Sequence, residues 1–322
     1  MKNIILMFSL LPFLAQATSL KTGDYQDRKE VELFIADMAK SSDYTETELL
    51  DLFSQVKHQR HLFERMNKPA EKLEWHQYRN IFLKPKRIEQ GKAFLNKHKA
   101  LLAKIEKKYH VPAEIITAIV GVETFYGTYK GKAPVFDTLV TFAFDYPKRA
   151  KFFKRELEEF LILSKAYGFE HRELKGSYAG AMGIPQFISS SYRNYAVDFD
   201  GDKKADLFNS LPDVLASVAN YFSRHGWQHG EPVTYQLNAT NSAKADALKS
   251  GYKLDYQWQN LRAAGLSSKT NLKDETKVAL IKLQQKNGPE YWAGLKNFYV
   301  ITRYNHSELY AMAVYQLSQK IK

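Results

Sequence analysis

The chain of 322 residues contains no cysteine. Disulfide staples are therefore excluded, as is a lipid-bearing cysteine, so stability must come from the core alone. There is also no apolar run of the roughly 20 residues needed to span a bilayer. The longest, Ile4 to Leu14, is too short. Neither a glycine-rich nucleotide fingerprint nor a G-x-S-x-G elbow occurs, which leaves nucleotide-dependent and serine-elbow enzymes without support. His225 and His229 lie four apart, but Gly226-Trp227-Gln228 between them supplies no glutamate, so a zinc-protease reading fails.

What is present begins with Lys2, the apolar stretch, and Ala15-Gln16-Ala17, which together read as a secretory signal peptide cleaved after Ala17. Export to the periplasm as a soluble protein is the expectation. The chain carries 47 Lys+Arg against 35 Asp+Glu, a net charge of +12. Such a balance draws an exported protein towards anionic polymers and membrane surfaces. Nucleic acid is disfavoured as a partner, because export removes the chain from it and no recognition motif accompanies the basic residues.

Hydrophobic periodicity divides the chain into segments. Residues 1–17 are the signal, and 18–109 read as an N-terminal helical domain with Val31, Phe34, Ile35 and Met38 at helical spacing. Ser41-Ser42-Asp43, Lys68-Pro69 and Lys84-Pro85 mark breaks within it. A second helical unit, 110–228, holds most of the candidate chemistry. Across 229–298 the pattern alternates, with Val233, Tyr235 and Leu237, then Val278 and Leu280, and a turn at Asn287-Gly288, predicting a small antiparallel β domain. Residues 299–322 return to helix, with Leu309, Met312, Ala313 and Leu317 on one side. The fold class is thus mainly α, in the α+β sense.

The most informative feature is Glu123. It closes a helical run in which Ile115, Ile116, Ala118, Ile119, Val120 and Val122 leave almost no polar face, while Pro112 and Glu114 suit the helix start. A carboxyl in apolar surroundings resists ionisation and can serve as a general acid near neutral pH. The plainer alternative is a glutamate that reaches solvent or an arginine.

Further along, Gly176-Ser177-Tyr178-Ala179-Gly180-Ala181-Met182-Gly183-Ile184-Pro185-Gln186-Phe187 sets single polar groups among small residues. Ser177 and Gln186 are either presented at a cleft wall or belong to a packing turn, with Ser177 capping a helix and Gln186 on the surface. The Asp198-to-Asp206 stretch places carboxylates at Asp198, Asp200 and Asp202, alternating as in the first half of an EF-hand. Counting Asp198 as position 1, Lys203 stands at position 6 where glycine is expected, and Asn209 at position 12 where glutamate is expected. Calcium binding and an Asp-rich turn closed by side-chain-to-backbone hydrogen bonds are both open.

Taken together, GVETFYG at 121–127, SYAGAMGIPQF at 177–187, the Asp-rich loop followed by SVANYF at 217–222, and ITRYNHSELYAMAV at 301–314 resemble the lytic murein transglycosylase B family of cell-wall enzymes. The resemblance implies a lysozyme-like catalytic core, flanked by a helical domain and carrying a small β domain, that acts on peptidoglycan glycan strands. It implies non-hydrolytic cleavage between N-acetylmuramic acid and N-acetylglucosamine to leave 1,6-anhydromuramic ends, with Glu123 as sole acid/base and no cofactor needed for chemistry. Ser177 would contact Glu123 or the N-acetyl group, Gln186 would line the cleft, and Tyr221, Tyr304, Asn305 and Tyr310 would contact sugar, although each tyrosine taken alone, one of 20, is expected in a core. Asp198, Asp200, Asp202 and Asp213 would hold a structural calcium. Wall-synthesis enzymes would be protein partners. The missing lipid-bearing cysteine departs from the family's membrane-bound members. The rival expectations are a hydrolytic muramidase on the same fold and a non-catalytic wall-binding protein.

Overall fold

The computed structural model describes residues 19–68, 70–240 and 242–322. The signal-peptide reading at 1–17 and the Pro69 of one predicted break lie outside these residues. Two compact units are separated after His58.

The described part of the first unit holds two helices, Lys29–Ser41 and Glu46–Ser54. Val31, Phe34, Ile35 and Met38 are all buried, as their spacing predicts, and the Phe34 and Phe53 rings meet at 5.9 Å. The second helix starts at a capping box: Thr45 accepts from the Glu48 amide while the Glu48 carboxylate accepts from the Thr45 amide.

The second unit is built around the helix Ala113–Thr124. Nine of its residues are buried, among them Ile115, Ile116, Ile119 and Val120. An all-apolar helix must be covered on every side, and here Pro85–Lys97, Lys99–Tyr109, Leu211–Arg224 and Glu308–Ile321 all pack against it. Pro85 opens its helix at the first position, where the missing amide hydrogen costs nothing. The long helix Ala150–Tyr167 packs on Val135–Asp145 and on the short helix Ser189–Tyr195. Glu156, 1 % exposed, ties two of these together by accepting from both the amide and the hydroxyl of Ser190.

The β domain is a five-stranded antiparallel sheet ordered Tyr256–Gln257, Lys277–Gln285, Gly288–Gly294, Thr234–Ala239, Leu266–Ser268. Gln285 pairs with Gly288 across the tight turn foreseen at Asn287-Gly288. Alternation holds imperfectly: Val278, Ala279, Leu280 and Ile281 are consecutively buried. The reason is that Trp75–Phe82 covers the face of this strand that an open sheet would leave to solvent. The C-terminal segment also departs from expectation. It is not one helix but two, Lys296–Ile301 and Glu308–Ile321, interrupted at 302–307 without a proline or glycine.

One close approach joins the Glu123 helix's following loop to the Gly-rich segment. A two-stranded ladder pairs Ala133 with Gly176, and at Gly131, φ +94°, an added Cβ would lie 1.9 Å from the Gly176 carbonyl oxygen. Neither the dihedral nor the space tolerates a side chain. Gly131→Ala is therefore expected to cost about 3 kcal/mol or more, read as a lowered denaturation midpoint; an unchanged midpoint would show that this contact relaxes freely.

Candidate active site

Glu123 is the penultimate residue of its helix. The chain then turns sharply, with Phe125 at φ +51° and Tyr126 at φ +59°, two successive non-glycine residues in the left-handed region. Such strain persists only where surrounding packing enforces it. Here the Tyr126 ring folds back onto Gly121, where a Cβ would meet it at 2.7 Å, and its hydroxyl donates to the Arg87 carbonyl at 2.9 Å. Thr124 adds a second clamp, donating to the Ile184 carbonyl at 2.8 Å.

The Glu123 carboxyl is enclosed by protein while keeping an opening onto a cleft of about 520 Å³. Burial pushes its pKa up from 4.5 to about 7, against the opposing effect of the Tyr310 hydroxyl, which donates to Oε1 at 2.5 Å, and with a smaller push from the negative charge of Glu71. Because Tyr310 occupies Oε1, the acid's proton belongs on Oε2.

The cleft gathers Glu123, Ser177, Gln186, Tyr221, Tyr304 and Asn305 on one lining. Tyr310 is 3 % exposed and reaches Glu123 rather than the open cleft. The other tyrosine hydroxyls are likewise committed. Tyr304 donates to the Pro185 carbonyl at 2.6 Å and Tyr221 to the Arg303 carbonyl. Their rings form a cluster with Phe187 and His225, the Tyr221–Tyr304 centroids 5.0 Å apart. What these residues can offer a ligand is therefore ring surface more than hydroxyl. His225 is held against the Tyr221 carbonyl and His229 lies beside His110, so the two do not form a metal pair.

Ser177 is no helix cap. Its Oγ accepts from the amides of Ala179 and Ala181 at 3.2 and 3.0 Å, closing the small loop that forms one cleft wall. Gln186, in the left-handed region at φ +52°, donates Nε2 to the Lys130 and Gly183 carbonyls at 3.1 and 2.8 Å. That arrangement leaves Oε1 as an acceptor.

Glu71 was not anticipated. It belongs to the short turn Ala70–Lys72, and its carboxylate accepts from the Asn305 amide at 3.2 Å, so Asn305 presents its own carbonyl oxygen elsewhere. The charge of Glu71 also raises Tyr78 and Tyr178, second to burial in both cases. Nothing local marks it, since Glu71 and Glu74 read alike in a charged tract.

In the acidic loop, Asp198, Asp200, Asp202 and Asp213 each offer a carboxylate oxygen, all within 4.8 Å of one another. Four hard oxygen donors fit calcium. Asp213, buried on the next helix, brings the fourth carboxylate to this group and accepts from the Phe199 and Asp206 amides at 2.7 and 2.9 Å, while the Asn209 side chain donates to Asp206 at 3.1 Å. Loop amides also bond to these carboxylates, as Gly201 and Lys203 do to Asp198. Lys203 sits at φ +74°, so the backbone takes the form a glycine would adopt there.

The raised pKa of Glu123 carries a consequence independent of any activity. With a folded pKa of about 7 above the ordinary 4.5, the native state holds its proton more tightly than the unfolded chain. Stability falls as pH rises from 4.5 through 7, by up to about 3 kcal/mol. Glu123→Gln keeps an acceptor for Tyr310 and removes the penalty, so it should be the more stable protein at pH 8 and not at pH 4. Glu71→Gln, which removes a like charge, should shift the falling limb to lower pH. Melting curves that run parallel for all three proteins across this range would contradict the assignment.

Comparison with known proteins places this geometry. The transglycosylase SLT domain family matches residues 26–319. The membrane-bound lytic murein transglycosylase B of Escherichia coli (strain K12) is 38% identical over 309 residues, covering 93% of this chain and 84% of that protein. The structure of soluble lytic transglycosylase SltB1 from Pseudomonas aeruginosa in its catenated form superposes with a TM-score of 0.87 at 44% identity, covering 92% of this chain and 98% of that one. Escherichia coli lytic transglycosylase Slt35 in complex with calcium gives a TM-score of 0.86 at 40% identity, covering 93% and 95% of the two chains. With a lysozyme-like helical fold, a small antiparallel sheet and a match along nearly its whole length, the chain belongs to the transglycosylase SLT domain family of lytic transglycosylases.

Proposed function

We propose that this lytic transglycosylase cleaves the β-1,4 bond between N-acetylmuramic acid and N-acetylglucosamine in peptidoglycan, with Glu123 as its single acid/base. The observation that carries the reading is a carboxyl pushed to about 7 at the edge of the cleft and held by Tyr310. As the acid, Glu123 protonates the glycosidic oxygen, the C1–O bond breaks, and the N-acetylglucosamine side leaves with its 4-hydroxyl restored. The substrate's own N-acetyl oxygen stabilises the positive charge at C1. Glu123, now a carboxylate, takes the proton from the C6 hydroxyl as O6 bonds to C1. The 1,6-anhydro ring closes and the acid is regenerated without water, which is why one carboxylate suffices where most glycosidases need two.

Ser177 would hold the N-acetyl group, Gln186 would accept from a sugar hydroxyl through Oε1, and the rings of Tyr221 and Tyr304 would meet pyranose faces. Asn305, oriented by Glu71, would accept through Oδ1. Tyr310 would serve by holding Glu123. In this assignment residues 110–228 with 299–322 form the catalytic core, 18–109 the helical domain and 229–298 the β domain. Among the described residues no helix is long and apolar enough to cross a membrane; the signal-like N-terminus supports a periplasmic site of action. Wall-synthesis enzymes remain the natural class of protein partner.

The chemistry needs no cofactor. Calcium would be structural, held by Asp198, Asp200, Asp202 and Asp213 on the side chains' evidence and in keeping with the calcium complex of Slt35. Binding only to the folded state stabilises it, so excess calcium should raise the melting temperature above that in chelator. Lys203→Gly should raise stability in both conditions by up to about 1 kcal/mol, because a left-handed lysine is relieved. Identical melts with calcium and chelator would remove the metal.

Product mass spectrometry tests the reaction. The protein should release anhydromuramic termini from purified peptidoglycan, and Glu123→Gln should release none while still folding and binding glycan. Reducing termini, heavier by one water, would instead establish hydrolysis.

A further inference from the structure

Phe125 and Tyr126, two and three residues after the acid, hold a left-handed backbone that residues with a Cβ adopt only under constraint. One residue, Arg87, touches both. Its main-chain carbonyl accepts from the Tyr126 hydroxyl at 2.9 Å, and its guanidinium carbon lies 4.9 Å from the centre of the Phe125 ring. The same guanidinium lies 5.3 Å from the centre of the Phe82 ring and donates through Nη1 to the Ile81 carbonyl, near the end of the helix Trp75–Phe82. Arg87 belongs to the first turn of Pro85–Lys97, and one turn on, Gly91 makes room for Tyr126: a Cβ there would lie 2.3 Å from the Tyr126 hydroxyl. Three segments thus meet at Arg87, and one of them carries the acid.

This placement is unfavourable for a cation. Arg87 is half-buried, burial works against its charge, and among the described residues no carboxylate pairs with it. Its Nε is buried with no hydrogen-bond partner among them. Desolvation of that kind opposes folding unless other contacts offset it. What Arg87 has instead is two ring faces, whose attraction strengthens as a cation loses water. A planar guanidinium stacks on such faces as a lysine ammonium cannot.

We propose that Arg87 is a positioning residue of the reaction: by stacking on Phe125 and accepting from Tyr126 it fixes the turn that keeps the Glu123 carboxyl in its sheltered place. The role depends on Glu123 being the acid/base, as proposed above, and adds what holds that carboxyl. Arg87 is not among the residues that line the cleft. It therefore acts on the chemistry only through the turn.

Three variants separate plane, charge and ring. Arg87→Met keeps the length and removes plane and charge, Arg87→Lys keeps the charge without the plane, and Phe125→Leu removes the ring. On purified peptidoglycan each should lower kcat about tenfold to a hundredfold with KM little changed, the mark of a misplaced reacting group. Arg87→Met/Phe125→Leu should lose no more than the worse single variant, because both break one contact. The titration of the Glu123 carboxyl, followed by carbon NMR on glutamate-labelled protein and assigned by its absence in Glu123→Gln, needs no turnover. Tyr310, Glu71, Tyr78 and Tyr304 face that carboxyl, and none of them is changed. From about 7 in wild type it should fall towards 4.5 in each variant as the loosened turn admits water. Loss of a cation alone would move it the other way, so a fall reports the turn and not the charge. A lowered melting temperature with wild-type kcat and titration would reduce Arg87 to a stabilising residue and overturn the proposal. Full activity in Arg87→Lys, or additive losses in the double variant, would overturn it equally. If wild type releases no product, the acid/base reading of Glu123 fails, while the titration still shows whether Arg87 holds the carboxyl in place.

Discussion

Everything in the larger unit serves the contest between burial and one hydrogen bond at Glu123. Burial drives the carboxyl towards its neutral form, and the Tyr310 hydroxyl at 2.5 Å pulls the other way. Neither effect alone gives a useful acid. An isolated buried glutamate would be a poor proton donor, because its conjugate base has no support, and a solvated one would have lost its proton well below neutrality. In the proposed reaction, a balance near 7 is what would let the same group give a proton and take one back within a single turnover. Holding that balance requires the apolar helix Ala113–Thr124, four helices around it, and a tyrosine delivered from near the chain end.

The rest of the cleft is stiff for the same reason. Tyr221, Tyr304 and Ser177 spend their hydroxyls on backbone groups, and Gln186 spends its amide nitrogen likewise. Phe125 and Tyr126, which follow the Glu123 helix, and Gln186, on the same cleft lining as Glu123, are non-glycine residues in left-handed geometry. A site whose polar groups are already satisfied by their own backbone has little to reorganise when sugar arrives, and orientation then comes from the few acceptors left over.

Much of this was legible in the primary structure. The unbroken apolar run before Glu123 can be satisfied only in a core, so a carboxylate at its end has to be explained. The helical spacing of Val31, Phe34, Ile35 and Met38 and the turn at Asn287-Gly288 have local causes and were read correctly. What escaped has a non-local cause. Glu71 matters because Asn305 comes to it from 234 residues away. The break at 302–307 has no helix breaker in it; Tyr304 and Ser307 make it, one bonding to Pro185 and the other capping the next helix. Continuous burial of Val278 to Ile281 depends on a helix two hundred residues earlier in the chain. Asp213, expected from the resemblance and not from the loop's own spacing, does join the other three carboxylates, and Lys203 takes a left-handed backbone that glycine would favour.

The bond from Tyr310 to Glu123 joins positions 187 apart in the chain. During synthesis the acid's own helix emerges long before its partner, and until the last helix docks, the carboxyl is bathed in water with an ordinary affinity for protons. A lytic transglycosylase that relies on this carboxyl, as proposed, would thereby come late to its own competence. A copy without its last helix would lack the Tyr310 bond to that carboxyl.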